Sequence, residues 1–311
     1  MSSNRRLMDL KVDYAFKKIF GSEQNKEYLI RFLNDLLKTN FKDIKIVNSE
    51  ISPDIQNGKK ALMDLHARTE EGLKVNIEIQ VNDMYDMVKR SLFYWSKAYQ
   101  EQFKKGQAYT SLKKTIVINI LDYNLSENKD NSDFHTTFHL YEDTKGYKLT
   151  DTIEMNFVEL RKWSGKIEGK DLLELVKEDK INVWMAMFNL VRSKELNEKI
   201  LNTLEKISGG DSTLENLMSD REKFSQDEKT WEEYSAREKA IFDEAAKVNE
   251  QEERKKKEID EAVKEAVSKT KKEGKIETAL AMIADGDSND KISRITKLTI
   301  DEIELLRQNK K

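Results

Sequence analysis

The chain has 311 residues, with 55 basic and 58 acidic side chains for a net charge of −3, three histidines, one proline, eleven glycines and no cysteine. That length suits one sizeable domain with attachments, or two domains. The missing cysteines exclude a disulfide framework, a thiolate zinc site and cysteine catalysis, three histidines argue against a His-rich metal site, and a near-neutral charge lacks the overall basic signature of a nucleic-acid binder. No apolar run approaches the ~18–20 residues that span a bilayer, and the start has basic residues without an apolar h-region. The expectation is a soluble cytoplasmic protein with no membrane partner.

In chain order, helical periodicity runs through Asp13–Phe20 and Glu27–Lys38. Ile44–Ile51, Ala61–Arg68 and Leu73–Val81 read as strands. Met84–Lys105 is a helix rich in aromatics, and Lys114–Leu121 (KTIVINIL) is the near-continuous apolar run of a buried strand. Phe134–Tyr141 and Thr152–Leu160 read as further strands. The order predicts an α/β or α+β core over residues 1–165. From Asp171 onward everything reads as helix: a helical region over 166–250 that includes Leu172–Ser193, Glu195–Ile207 and Glu215–Met218, a charged linker helix over 251–274, and a small helical tail module over 275–311. Between Glu252 and Lys275, sixteen of twenty-four residues are charged, with interleaved signs, as in a solvated helix supported by i,i+4 pairs. Its sparse apolar stripe, Ile259, Ala262, Val263, Ala266 and Val267, leaves two readings open: a plain spacer helix, or a seam that joins a partner helix in a homo-oligomer.

The informative stretch is Met63–Val81, MDLHARTEEGLKVNIEIQV. Strict alternation puts Val75, Ile77, Ile79 and Val81 on one face and Asn76, Glu78 and Gln80 on the other. The loop Glu70-Glu71-Gly72, with glycine last, fits a three-residue hairpin closed by a left-handed bulge. Thr69 then pairs with Leu73, and Asp64 falls opposite Glu78, where Cβ atoms lie ~4.5–5.5 Å apart. Two carboxylates so close need a shared proton or a cation, and a hard divalent ion such as Mg²⁺ or Mn²⁺ suits oxygen ligands. The competing reading is a polar face that is merely wet. Against it, the following helix carries many large apolar residues that must pack on this sheet.

Asp64, thirteen residues, then Glu78-Ile79-Gln80 resembles the PD-(D/E)XK nuclease signature with Gln in place of Lys. With Asp13-Tyr14-Ala15-Phe16-Lys17-Lys18-Ile19-Phe20-Gly21, Phe32-Leu33-Asn34, Asn76–Gln80 and Lys89-Arg90-Ser91-Leu92-Phe93-Tyr94-Trp95, the chain resembles the Rpn family of recombination-promoting nucleases, also labelled transposases, over roughly residues 8–165. Gly106 with Tyr109, and the strand ending in Glu159-Leu160, fit as well. The resemblance implies a restriction-endonuclease-like α/β fold, with a mixed sheet flanked by helices, followed by the all-α C-terminal region and its long charged helix. It implies a metal-dependent DNA endonuclease: Asp64, Glu78 and the Ile79 carbonyl as ligands of Mg²⁺ or Mn²⁺, and Gln80 positioning water, though an amide cannot act as the base.

Asp13 and Lys17 share a helical face. They read either as a surface ion pair or, as the resemblance implies, as an additional acid and a phosphate contact; Glu27 is a secondary candidate for the first-helix acid. Arg90 and Tyr94, one turn apart, are candidate nucleic-acid contacts, Arg being the natural phosphate clamp. Phe16, Phe20, Leu92, Trp95 and Tyr99 read as core. His66, two residues from Asp64, reads as wet or hydrogen-bonded rather than catalytic, and His135 and His139 lie on a strand and form no ligand pair. Residues 1–20 carry a local +3 beside the proposed site. The segment Ile292–Ile303 resembles the short helix–turn–helix-like ending common in the family. Its IDEIELL suits a packing or self-association module better than a DNA-reading helix, and Thr299 with Glu302 forms a capping box. The reading is a DNA endonuclease acting in recombination or on mobile DNA. The alternatives are a nuclease fold that binds DNA without useful cleavage, and a helical assembly protein with a wet hairpin.

Overall fold

A computed structural model describes residues 6–47, 65–167, 169–190 and 194–308. Their contacts form two compact units, 1–243 and 244–311. In the first, α1 (Asp13–Phe20) and α2 (Lys26–Leu37) lead into β1 (Ile44–Val47), β2 (Leu65–Thr69) and β3 (Lys74–Gln80). After α3 (Met87–Gln100) come β4 (Thr115–Leu121), β5 (His135–Tyr141) and β6 (Lys148–Glu159), then α4 (Leu160–Lys166), α5 (Leu172–Glu178), α6 (Ile181–Phe188), α7 (Lys194–Ser208) and α8 (Ser212–Gln226). The sheet runs β1-β2-β3-β4-β6-β5. β3, β4 and β6 are mutually parallel in that order, and the other pairs are antiparallel. This is the expected mixed α/β sheet flanked by helices.

α1 takes the bounds its periodicity predicts, because Ala15, Phe16, Ile19 and Phe20 form one buried stripe. Gly21 ends it: a Cβ there would meet the Lys17 carbonyl oxygen at 2.5 Å. Phe16 and Phe20 pack with Phe32, Trp184 and Phe188 at centroid distances of 4.7–6.5 Å, in the same cluster as Val75, Ile77, Ile79, Ile116, Ile118 and Ile120 of the sheet. On the opposite face Met87 joins Leu121, Tyr123, Met155 and Phe157. β4 is therefore buried along its whole length, as its continuous apolar run demands.

The helix expected over Leu172–Ser193 is two helices. Asp179 leaves helical conformation at ψ 119°, and its carboxylate accepts from the Ile181 amide at 3.1 Å, so α5 ends where α6 is capped. Before α1, residues 8–12 form a strap whose Met8, Leu10, Lys11 and Val12 are buried. Arg221, fully buried on α8, donates to the Met8 carbonyl through Nε and Nη2 (3.0 and 2.7 Å) and to the Met187 carbonyl through Nη1 (3.3 Å). Burial without a paired carboxylate lowers its pKa to about 10.

α9 (Glu228–Ala284) runs 57 residues without a break, through Gly274, so the expected linker helix is one stretch of a longer one. Its charge-laced residues 251–275 are exposed, including Ile259, Val263 and Val267. In the second unit, α10 (Asn289–Thr296) and α11 (Ile300–Gln308) bury Ile292, Leu298 and Ile303 with Ala279. The Thr299–Glu302 capping box forms reciprocally, at 2.9 and 3.3 Å. Among the described residues, no helix is long and apolar enough to cross a membrane.

Candidate active site

The hairpin between β2 and β3 has the predicted register. The Thr69 amide donates to the Leu73 carbonyl at 3.0 Å and the Gly72 amide to the Thr69 carbonyl at 2.9 Å. Gly72 sits at φ +86°, a conformation glycine adopts without steric cost. The ladder then pairs Arg68 with Lys74, Ala67 with Val75, His66 with Asn76 and Leu65 with Ile77. Asp64 lies outside the described residues.

The polar face of β3 is not wet. α3 covers it with Met87, Ser91, Tyr94 and Ala98, leaving Asn76 1% and Glu78 0% exposed. Glu78 Oε1 accepts from Arg90 Nη2 at 2.5 Å and from Gln80 Nε2 at 3.2 Å. Among the described residues, its buried Oε2 has no hydrogen-bond partner. Burial pushes the carboxyl up to about 7; the Arg90 charge and the Gln80 and Arg90 hydrogen bonds oppose this, and the nearby Asp86 charge adds to it. Arg90 is itself held, with its guanidinium 5.8 Å over the ring of the buried Tyr94.

One strand over, Asn119 is the register partner of Glu78. Its Nδ2 donates to Ser91 Oγ at 2.9 Å and to the Asn156 carbonyl on β6 at 3.2 Å; its Oδ1 too is buried without a partner among the described residues. Asn119 is the one polar residue in IVINIL, a signal the sequence reading passed over. Tyr123 is buried close by, and its hydroxyl pKa is raised by burial and then by the Asp83 charge. Lys11 is buried at the end of β4, with Nζ 3.2 Å from Asp9 and 3.6 Å from Asp122, and the Asp122 amide donates to the Gln80 carbonyl at 2.9 Å.

The structure thus brings together Glu78, Gln80, Arg90 and Tyr94. Ile79 alternates onto the opposite face, its side chain in the core. Asp13 is gripped by Arg237 of α9, with Nε 2.8 and 2.9 Å from its two oxygens and Nη2 2.7 Å from Oδ2, a partner that no local pattern announced. Lys17 is partly exposed on α1 and Glu27 is exposed on α2. His66 is only partly accessible, and burial lowers its pKa to about 4, so it is neutral near pH 7. His135 and His139 bind separate β6 residues, Asn156 at 2.9 Å and Glu154 at 3.3 Å. Trp95 donates to the Thr115 carbonyl at 3.2 Å and stacks on Tyr99 at 5.1 Å. Leu92, expected in the core, is 47% exposed, because α3 turns Ser91 and Tyr94 to the sheet and Leu92 falls outside that stripe. Among the described residues, no three acids or histidines cluster as a metal site.

No curated protein and no solved structure matches the chain. A family model does, described as PD-(D/E)XK nuclease family transposase, over residues 10–251. That span takes in the whole sheet, the hairpin and α3 as well as Asp13 and Arg237, and the chain therefore belongs to this nuclease-like family.

Proposed function

We propose that the protein is a Mg²⁺- or Mn²⁺-dependent DNA endonuclease that hydrolyses phosphodiester bonds and acts in recombination or on mobile DNA. The observation that carries this reading is Glu78: a fully buried carboxylate with one oxygen that no donor among the described residues reaches. A buried acceptor left so is costly unless a proton or cation meets it. The donors nearby are hard oxygens, which suit a divalent cation of this kind. The ligands would be Glu78, the Ile79 carbonyl and Asp64. When bound, the cation would polarise a phosphate oxygen and lower the pKa of water.

The chain's own residues divide the remaining work. Gln80 commits its Nε2 to Glu78, so its amide oxygen is the end that accepts from a water O–H. Arg90 orients Glu78 and, released from it, is a planar clamp for a phosphate, with Tyr94 beneath it. Lys17 is a phosphate contact and Asp13 an additional acid. Self-association through the exposed stripe of α9, and a cytoplasmic location, complete the reading. A second reading, a nuclease fold that binds DNA with little cleavage, is favoured by Arg90, whose guanidinium already engages Glu78 Oε1. Plasmid cleavage in millimolar Mg²⁺ tests both: the first requires nicking that disappears in EDTA, in Asp64→Ala and in Glu78→Ala. DNA binding without any nicking selects the second.

A further inference from the structure

We propose that the outer face of α3 binds a single-stranded or locally unpaired segment of DNA, with Phe93, beside Leu92, stacking on a base while Lys89 and Lys97 reach the phosphates on either side. This rests on the nuclease reading and adds the form of the substrate to it.

Residues 89, 93 and 97 follow one another at four-residue spacing, so they form one ridge. At 1.5 Å per residue the two lysines stand about 12 Å apart along the axis, within reach of separate phosphates of one strand. Phe93 is 57% and Leu92 47% exposed, on a helix whose other face is well buried. A lone exposed apolar side chain is ordinary; two in succession, flanked by lysines and adjoining the candidate site, form a patch with a charge pattern. The patch is continuous with that site. The Phe93 ring meets Tyr94 at 5.7 Å and 62°, Arg90 lies over Tyr94, and Arg90 bonds Glu78. A base held by Phe93 would thus lie about one helical turn from the candidate centre. The neighbouring acids do not cancel the lysines: Asp86 lies at the Glu78 end of the ridge, and Glu101, at the other end, is engaged by Lys74 at 3.4 Å.

Ring chemistry selects the kind of strand. Inside a duplex both faces of each base are covered by neighbouring pairs, and a ring stacks there only by prying a base step open at a cost of a few kcal/mol, whereas an unpaired base offers its face freely. Such stacking contributes roughly 1–3 kcal/mol per base and tolerates any sequence.

The test is fluorescence anisotropy with a labelled single strand and the matching duplex, in EDTA so that binding alone is read, on the full chain. The single strand is expected to bind more tightly than the duplex. Phe93→Ala should weaken single-strand binding about 5- to 150-fold and leave duplex binding nearly unchanged, and Phe93→Trp should restore it. Lys89→Ala should weaken both and flatten the salt dependence. Single-strand binding that Phe93→Ala leaves at the wild-type value overturns the inference alone. So does a drop from dimer to monomer in Phe93→Ala, by light scattering, with oligonucleotide binding unchanged, because the patch then faces a second copy of the chain. Wild-type protein that binds neither oligonucleotide overturns both this inference and the nuclease reading.

Discussion

Glu78 and Asn119 stand side by side as register partners on β3 and β4, each with one buried oxygen that meets no donor among the described residues. The Asn119 amide cannot simply turn over, because its nitrogen is held by Ser91 and by the Asn156 carbonyl. Two acceptors placed so are costly unless a proton or a cation meets them, and burial pushes the Glu78 carboxyl up to about 7.

A pH dependence of stability follows. A carboxyl raised from 4.5 to about 7 on folding stabilises the fold fully below its unfolded pKa, and that contribution is lost as pH rises through 7. Each tenfold gain in proton affinity on folding is worth roughly 1.4 kcal/mol, so the loss is about 2–4 kcal/mol. Glu78→Gln does not titrate, and its amide can still accept from Arg90. Urea unfolding should therefore show the variant gaining on wild type by that amount between pH 5 and pH 8. A gap that stays constant with pH would show that Glu78 is not the buried, proton-binding group described.

Arg221 is expected to matter more to the fold than any surface ion pair. Among the described residues its guanidinium bonds only backbone carbonyls, those of Met8 and Met187, and truncation leaves buried acceptors unsatisfied at about 1–3 kcal/mol each. Arg221→Ala should lower stability by roughly 3 kcal/mol or more and open the 8–12 strap to limited proteolysis. An unchanged denaturation midpoint and an equally resistant strap would contradict this.

The Arg237–Asp13 pair separates structure from chemistry. Arg237 is 45% exposed, and partly exposed pairs contribute at most about 1 kcal/mol. Arg237→Ala should therefore unfold close to wild type. If Asp13 works in the site, Asp13→Ala should abolish cleavage while Arg237→Ala retains it. Equal losses in both variants would assign Asp13 to anchoring α9.

Gly72→Ala addresses the register. At φ +86° an alanine is strained by about 1 kcal/mol or more, and the bulge that sets the β2–β3 pairing is weakened. On the proposed reading, cleavage should fall more than global stability does, since a slip of one residue flips one strand's side chains to the other face. Full cleavage in a destabilised Gly72→Ala would show that the pairing does not depend on this turn.

What the sequence by itself determined was local. The bounds of α1 were legible because four apolar residues repeat at helical spacing over eight positions. The hairpin register was legible because a three-residue loop with terminal glycine admits one pairing. The buried run of β4 was legible from its composition. Where short-range chemistry competed with periodicity, the reading failed: Asp179 caps α6 and splits a pattern that looked continuous.

Only the tertiary structure decided whether the polar face of the hairpin was wet or covered, because alternation divides two faces without saying what lies on each. It was α3, arriving from the next element, that buried Glu78 and supplied Arg90. Arg237, which grips Asp13, and the Met8 carbonyl that Arg221 holds likewise lie more than 200 residues from them in the chain, beyond any local pattern. Leu92 was misread for the same reason: hydrophobicity says that a side chain prefers burial, while the orientation of the whole helix on the sheet decides which apolar residues obtain it.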